Sequence, residues 1–81
     1  MLILKPGCEC CDVDLPPEDT NAVICSFECT FCKACAEEVL RGVCPNCGGG
    51  FEPRPIRPAD LLGKYPPSTD RVFNPKLRGT R

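Results

Sequence analysis

The chain has no histidine among its 81 residues, and that absence governs the chemistry open to it. Any zinc site here has to be built from thiolates, with carboxylates or water filling gaps. Long apolar runs are missing as well. The longest aliphatic stretch, Met1–Leu4, is too short for a membrane span or for the core of a signal peptide. Export to an oxidising compartment is therefore not indicated, and the expectation is a soluble, cytoplasmic protein. Aromatics are scarce: residues 1–51 hold only Phe27, Phe31 and Phe51, and the same stretch carries three Lys/Arg against eight Asp/Glu. Nucleic-acid binders present basic faces with aromatic platforms, so this acidic segment argues against nucleic acid as the main partner.

Cysteine is what the chain has in abundance. There are nine, about a tenth of the residues, in a chain small enough to bury only about 60% of its unfolded surface and to need a staple. An odd count, no export signal and three pairs at x2 spacing favour metal over disulfides, because two thiolates from one tight turn can reach a common ion. The spacing reads Cys8-x2-Cys11-x13-Cys25-x3-Cys29-x2-Cys32-x2-Cys35-x8-Cys44-x2-Cys47. Eight ligands fall into four pairs, enough for two tetrahedral Zn2+ ions. Cys10 is left over, because Cys10 and Cys11 are adjacent and cannot form such a turn.

Composition breaks at Gly48-Gly49-Gly50-Phe51. Every cysteine precedes this run, and six of the ten prolines follow it. The sequence thus predicts a two-zinc domain over residues 1–51 and a basic, proline-rich tail over 52–81, extended or loosely docked. In the tail, Pro53-Arg-Pro-Ile-Arg-Pro58 favours an extended backbone, and Ile56, Leu61, Leu62, Tyr65, Val72 and Phe73 are its candidates for docking on the domain or on a partner. Within the domain, strand, turn and strand from about Ala22 to Phe31 make a hairpin. From Ala34 to Arg41 the pattern turns helical, with Ala36, Val39 and Leu40 on one face, acids in the first turn and Gly42 as a stop. So short a helix needs metal or packing to hold it.

Three pairings keep the cysteine pairs whole: sequential, nested, or interleaved. The order turn, hairpin, helix favours the interleaved one, a treble-clef arrangement joining Cys8, Cys11, Cys32 and Cys35 on one zinc and Cys25, Cys29, Cys44 and Cys47 on the other. Interleaving also closes long loops, where the unfolded chain has most entropy to lose. A four-thiolate site leaves no open coordination position, so the zinc is expected to be structural and the chain to have no intrinsic catalysis.

The order of spacings, with Cys44-Pro45-Asn46-Cys47 at its end, resembles the RING finger, whose cross-braced architecture implies the same interleaving. RING fingers usually carry at least one histidine among ligands three to five, where this chain has Cys29 and Cys32. The stretches "CECCDVDLPP", "ICSFECTFCKACAE" and "GVCPNCGGGFEPRPIRP" are similar to those of a bacterial family of small cysteine-rich proteins of unknown function, about eighty residues long. The RING resemblance implies that Cys10, Val39 and Pro45 occupy the positions that hold a ubiquitin-conjugating enzyme. Where many active RINGs have a basic residue after the eighth ligand, this chain has Gly48, which weighs against a ligase. The iron–sulfur alternative suggested by Cys29-x2-Cys32-x2-Cys35 fails on the x8 gap that follows.

The expectation is a small zinc-stabilised α+β protein, RING-like, with a short β-hairpin, one short helix and an extended C-terminal tail. Its function is read as a protein-interaction adaptor, with Cys10, Val13, Leu15, Val39 and Pro45 as candidate contacts. A RING-type ligase component recruiting a ubiquitin-conjugating-like enzyme is the alternative, and a nucleic-acid-binding zinc protein ranks below it.

Overall fold

A computed structural model describes residues 2–79. Ala22–Ile24 (β1) and Thr30–Cys32 (β2) form the hairpin, paired antiparallel with Ala22 opposite Cys32 and Ile24 opposite Thr30. Val23, Ile24, Thr30 and Phe31 are β-branched or aromatic, the side chains that fit a packed, pleated surface. A third strand, Glu52–Pro53 (β3), lies antiparallel on the other side of β1, giving the order β2-β1-β3. Proline is tolerated there because β3 is an edge strand and its missing N–H interrupts no interior ladder.

The helix expected over Ala34–Arg41 is shorter and wider than the sequence suggests. Cys35–Val39 forms a π-helical turn, with Leu40 N–H donating to Cys35 O at 2.8 Å and Gly42 N–H to Ala36 O at 2.7 Å. Arg41 has left the helix for a left-handed φ of 54°. The physical reason is length: a segment this short has little helical stability of its own, so the anchoring of buried Cys35 and Ala36 sets its shape.

The core is small and rich in sulfur. Phe31 and Leu4 are its largest fully buried side chains, joined by Leu15, Ala22, Val23, Ala36 and the thiols of Cys8, Cys10, Cys25, Cys35 and Cys44. Phe51 packs edge-on against Phe31, ring centroids 5.3 Å apart.

Beyond β3 the chain passes through a short helix, Ala59–Leu62 (α1), and ends in Lys76–Gly79 (α2). Polar contacts attach this segment to the cysteine-rich part. Arg54 is buried and donates to the carbonyls of Lys5, Leu15 and Pro16. Arg57 reaches Leu2 O, Ser68 N–H donates to Leu4 O, and Asn74 N–H to Glu9 O. Arg71 pairs with Asp12 and Asp14, both contacts at 2.9 Å. By contrast Ile56, Leu61, Tyr65, Val72 and Phe73 are exposed, and Leu62 is half-buried. Among the described residues no helix is long and apolar enough to cross a membrane.

Candidate metal centre

Two cysteine pairs make nearly the same local turn. At the first, Cys8 N–H donates to Val13 O and Asp12 N–H returns to Cys8 O; at the last, Cys44 N–H donates to Gly49 O and Gly48 N–H returns to Cys44 O. In both, the residue after the second cysteine takes a left-handed φ, 64° at Asp12 and 77° at Gly48. Glycine adopts that conformation freely, and aspartate tolerates it better than most residues. The turn aims backbone N–H groups at sulfur: Cys10 N–H reaches Cys8 Sγ at 3.3 Å, and Asn46 N–H reaches Cys44 Sγ at 3.4 Å. The hairpin supplies the same service, with Phe27 and Cys29 N–H both 3.3 Å from Cys25 Sγ. Such donors stabilise a thiolate more than a thiol.

The fold gathers these pairs into two groups. Cys8, Cys11, Cys32 and Cys35 bring their sulfurs within 4.8 Å of one another, as do Cys25, Cys44 and Cys47. Cys11 Sγ and Cys32 Sγ stand 3.8 Å apart. A tetrahedron with metal–sulfur bonds of about 2.3 Å has edges of about 3.8 Å, so the donor set fits a tetrathiolate ion. All nine cysteines are free thiols. Cys29 Sγ is not within 4.8 Å of all three, but it bonds the Cys25 thiol and accepts from Asn46 Nδ2 at 3.4 Å.

The electrostatics divide the thiols by burial. Burial pushes Cys44 up to about 12 and also raises Cys35, Cys32 and Cys29, since a lone thiolate in an apolar surrounding is disfavoured. Cys47 moves the other way, to about 7, chiefly because Gly49 N–H bonds its sulfur at 3.4 Å. Burial raises Cys11 too, but the Val13 backbone and the Cys35, Cys8 and Cys32 thiols bond its sulfur and bring it below its ordinary value. A bound dication supplies the charge that the buried thiolates lack, which is why clustered buried cysteines and metal belong together.

Two of the candidate contact residues are placed elsewhere. Cys10 is fully buried and Leu15 is 2% exposed, so both belong to the core cluster with Cys8 and Phe31, and Arg54 donates to the Leu15 carbonyl. Cys10 holds the turn position equivalent to Asn46, its N–H bonding the first sulfur of its pair. Val13 and Pro45 are exposed and Val39 is half-buried.

Sequence reasoning missed Glu9, Asn46 and Ser26. Glu9 is buried, accepts from Lys5 Nζ at 3.0 Å and Thr30 N–H at 2.7 Å, and so ties the first cysteine turn to β2. Ser26 Oγ lies 3.8 Å from Cys47 Sγ. Each stands within two residues of a cysteine, which is the one signal that could have marked them.

Together these features define a class: a small α+β domain whose core is built around two groups of cysteines positioned to bind metal ions. Within that class, the chain belongs to the family described as "Protein of unknown function (DUF1272)", small bacterial proteins whose model matches residues 1–57. An uncharacterised protein of Rhizobium meliloti, R02474, is 62% identical over 76 residues, covering 94% of this chain and 90% of its own length. The ribosome biogenesis protein Nop10 of Methanosarcina barkeri is 49% identical over 37 residues, 42% of this chain and 72% of that protein. No solved structure matches the chain significantly.

Proposed function

We propose that the chain is a two-zinc structural module acting as a cytoplasmic protein-interaction adaptor with a RING-like cross-brace. One zinc is held by Cys8, Cys11, Cys32 and Cys35, the other by Cys25, Cys29, Cys44 and Cys47. The observation that carries this reading is the gathering of sulfurs from distant turns, four in the first group and three in the second, within 4.8 Å of one another, with Cys11 and Cys32 at the 3.8 Å of a tetrathiolate edge. Four thiolates close each site, leaving no coordination position for a substrate, so the ions serve to fix the fold. Rigid metal turns that present apolar residues lose little conformational entropy when a partner docks. Val13 and Pro45 sit on such turns, and Val39 lies on the helical turn that follows Cys35.

The ligase alternative loses support with Cys10 buried and Gly48 in place of a basic residue. Nucleic-acid binding, the lower alternative, has the acidity of residues 1–51 against it. An interaction screen with the zinc-loaded protein tests the adaptor reading. A protein partner retained by the wild type and lost by Val39→Arg and Pro45→Arg at unchanged zinc content supports it. A partner that ignores both substitutions, or binding to labelled RNA that weakens with salt, counts against it.

A further inference from the structure

The two cysteine groups differ in ways that ligand chemistry does not require. In the first, Cys8, Cys32 and Cys35 are buried and only Cys11 is half-exposed. Its turn is strapped from outside: Arg71 grips Asp12 and Asp14, Asn74 N–H donates to Glu9 O within the turn, and Leu77 packs against the core. In the second, both Cys29 and Cys47 are half-exposed. Cys25, Cys44 and Cys47 are grouped within 4.8 Å of one another, while the Cys29 sulfur, at the edge of the group and bonded to the Cys25 thiol, also accepts from the side chain of exposed Asn46 at 3.4 Å.

We infer that the second group is the exchangeable zinc site, taking up and releasing its ion through the position of Cys29, while the strapped first site retains its own. This rests on the two-zinc reading above. A tetrathiolate ion is opened one sulfur at a time, and the incoming donor needs both a vacated coordination position and access from solvent. Cys29 meets both needs. As its bond to zinc breaks, the sulfur keeps the electron pair and moves to the Asn46 amide, so the freed thiolate is not left without a donor. The coordination position that Cys29 vacates would then be open to the nitrogen or thiolate of an acceptor. In the first site only Cys11 has such access, and the sulfurs of Cys8, Cys32 and Cys35 would have to move within a core filled by Leu15, Phe31 and Cys10.

The test uses the full chain loaded with zinc and challenged with excess 4-(2-pyridylazo)resorcinol. One ion should leave at least about tenfold faster than the other, the factor that a single hydrogen bond to a charged group is worth. After one equivalent is removed, N-ethylmaleimide labelling mapped by peptide mass spectrometry should fall on Cys25, Cys29, Cys44 and Cys47. Asn46→Ala, which deprives the freed sulfur of its donor, should slow the fast phase and leave the slow one. Release of both ions in one phase, first labelling on Cys8, Cys11, Cys32 or Cys35, or an unchanged or faster first phase in Asn46→Ala overturns the inference and leaves the two-zinc reading standing. A chain that takes up no zinc overturns both.

Discussion

Replacing Arg54 with alanine should destabilise the zinc-loaded protein more than any other substitution in the C-terminal segment. The residue is 4% exposed, and its guanidinium donates to Lys5 O at 2.9 Å, Leu15 O at 3.2 Å and Pro16 O at 2.8 Å. It thereby ties the segment after β3 to the start of the chain and to the loop before β1. A hydrogen bond to a charged group contributes about 1.5–3 kcal/mol, and truncation leaves three carbonyls without that donor. Against this stands the cost of burying the charge, which lowers the Arg54 pKa, and Arg54 Nε has no partner among the described residues. The net loss should be about 3 kcal/mol. For a domain of this length each kcal/mol moves the midpoint by about 4–8 °C, so Tm should fall by roughly 12–24 °C. Circular dichroism melts at fixed free zinc measure it, since any ion lost on unfolding couples Tm to zinc concentration. Arg54→Lys should fall between, because one ammonium cannot span the three acceptors as a guanidinium fork does. A midpoint within about 2 °C of wild type for Arg54→Ala would refute the reasoning.

Removing zinc should abolish the fold: each structural site can contribute about 10–16 kcal/mol, comparable to the whole stability of a typical domain. An apoprotein that keeps amide protection at Val23 and Phe31 would contradict this. Zinc affinity should fall as pH falls. Burial holds Cys32, Cys35, Cys29 and Cys44 protonated at neutral pH, Cys44 up to about 12, and zinc has to displace those protons. With two such thiols in each site, affinity should rise by about two decades or more per pH unit, read by chelator competition between about pH 6 and 8, and a flat profile counts against the assignment. Glu9→Ala strands the Thr30 N–H that its carboxylate accepts at 2.7 Å and should cost about 2–4 kcal/mol, with Glu9→Gln milder. Equal midpoints for the two variants would show that the carboxylate does not tie the first turn to β2.

Much of the local structure was legible because it obeys local rules. The hairpin followed from Ala22-Val23-Ile24 and the cysteines after it, and the x2 spacings marked the turns. The residues that lock those parts together were not legible. Arg54 bonds carbonyls 38 to 49 residues away, and no periodicity encodes such a contact. β3 is two residues long and includes a proline, too little for a strand signal. Cys10 was a candidate contact through its RING-like position and Leu15 as an apolar residue beside the first turn, and both lie in the core cluster instead. The π-helical turn kept Cys35–Val39 of the expected helix but took its width from tertiary anchoring, which propensity does not report.

The most direct test is a crystal structure of the zinc-loaded chain with anomalous data at the zinc edge. The account predicts two ions, one bonded at about 2.3 Å to Cys8, Cys11, Cys32 and Cys35, the other to Cys25, Cys29, Cys44 and Cys47. A single ion, or one ion shared by Cys25, Cys29, Cys32 and Cys35, would contradict it.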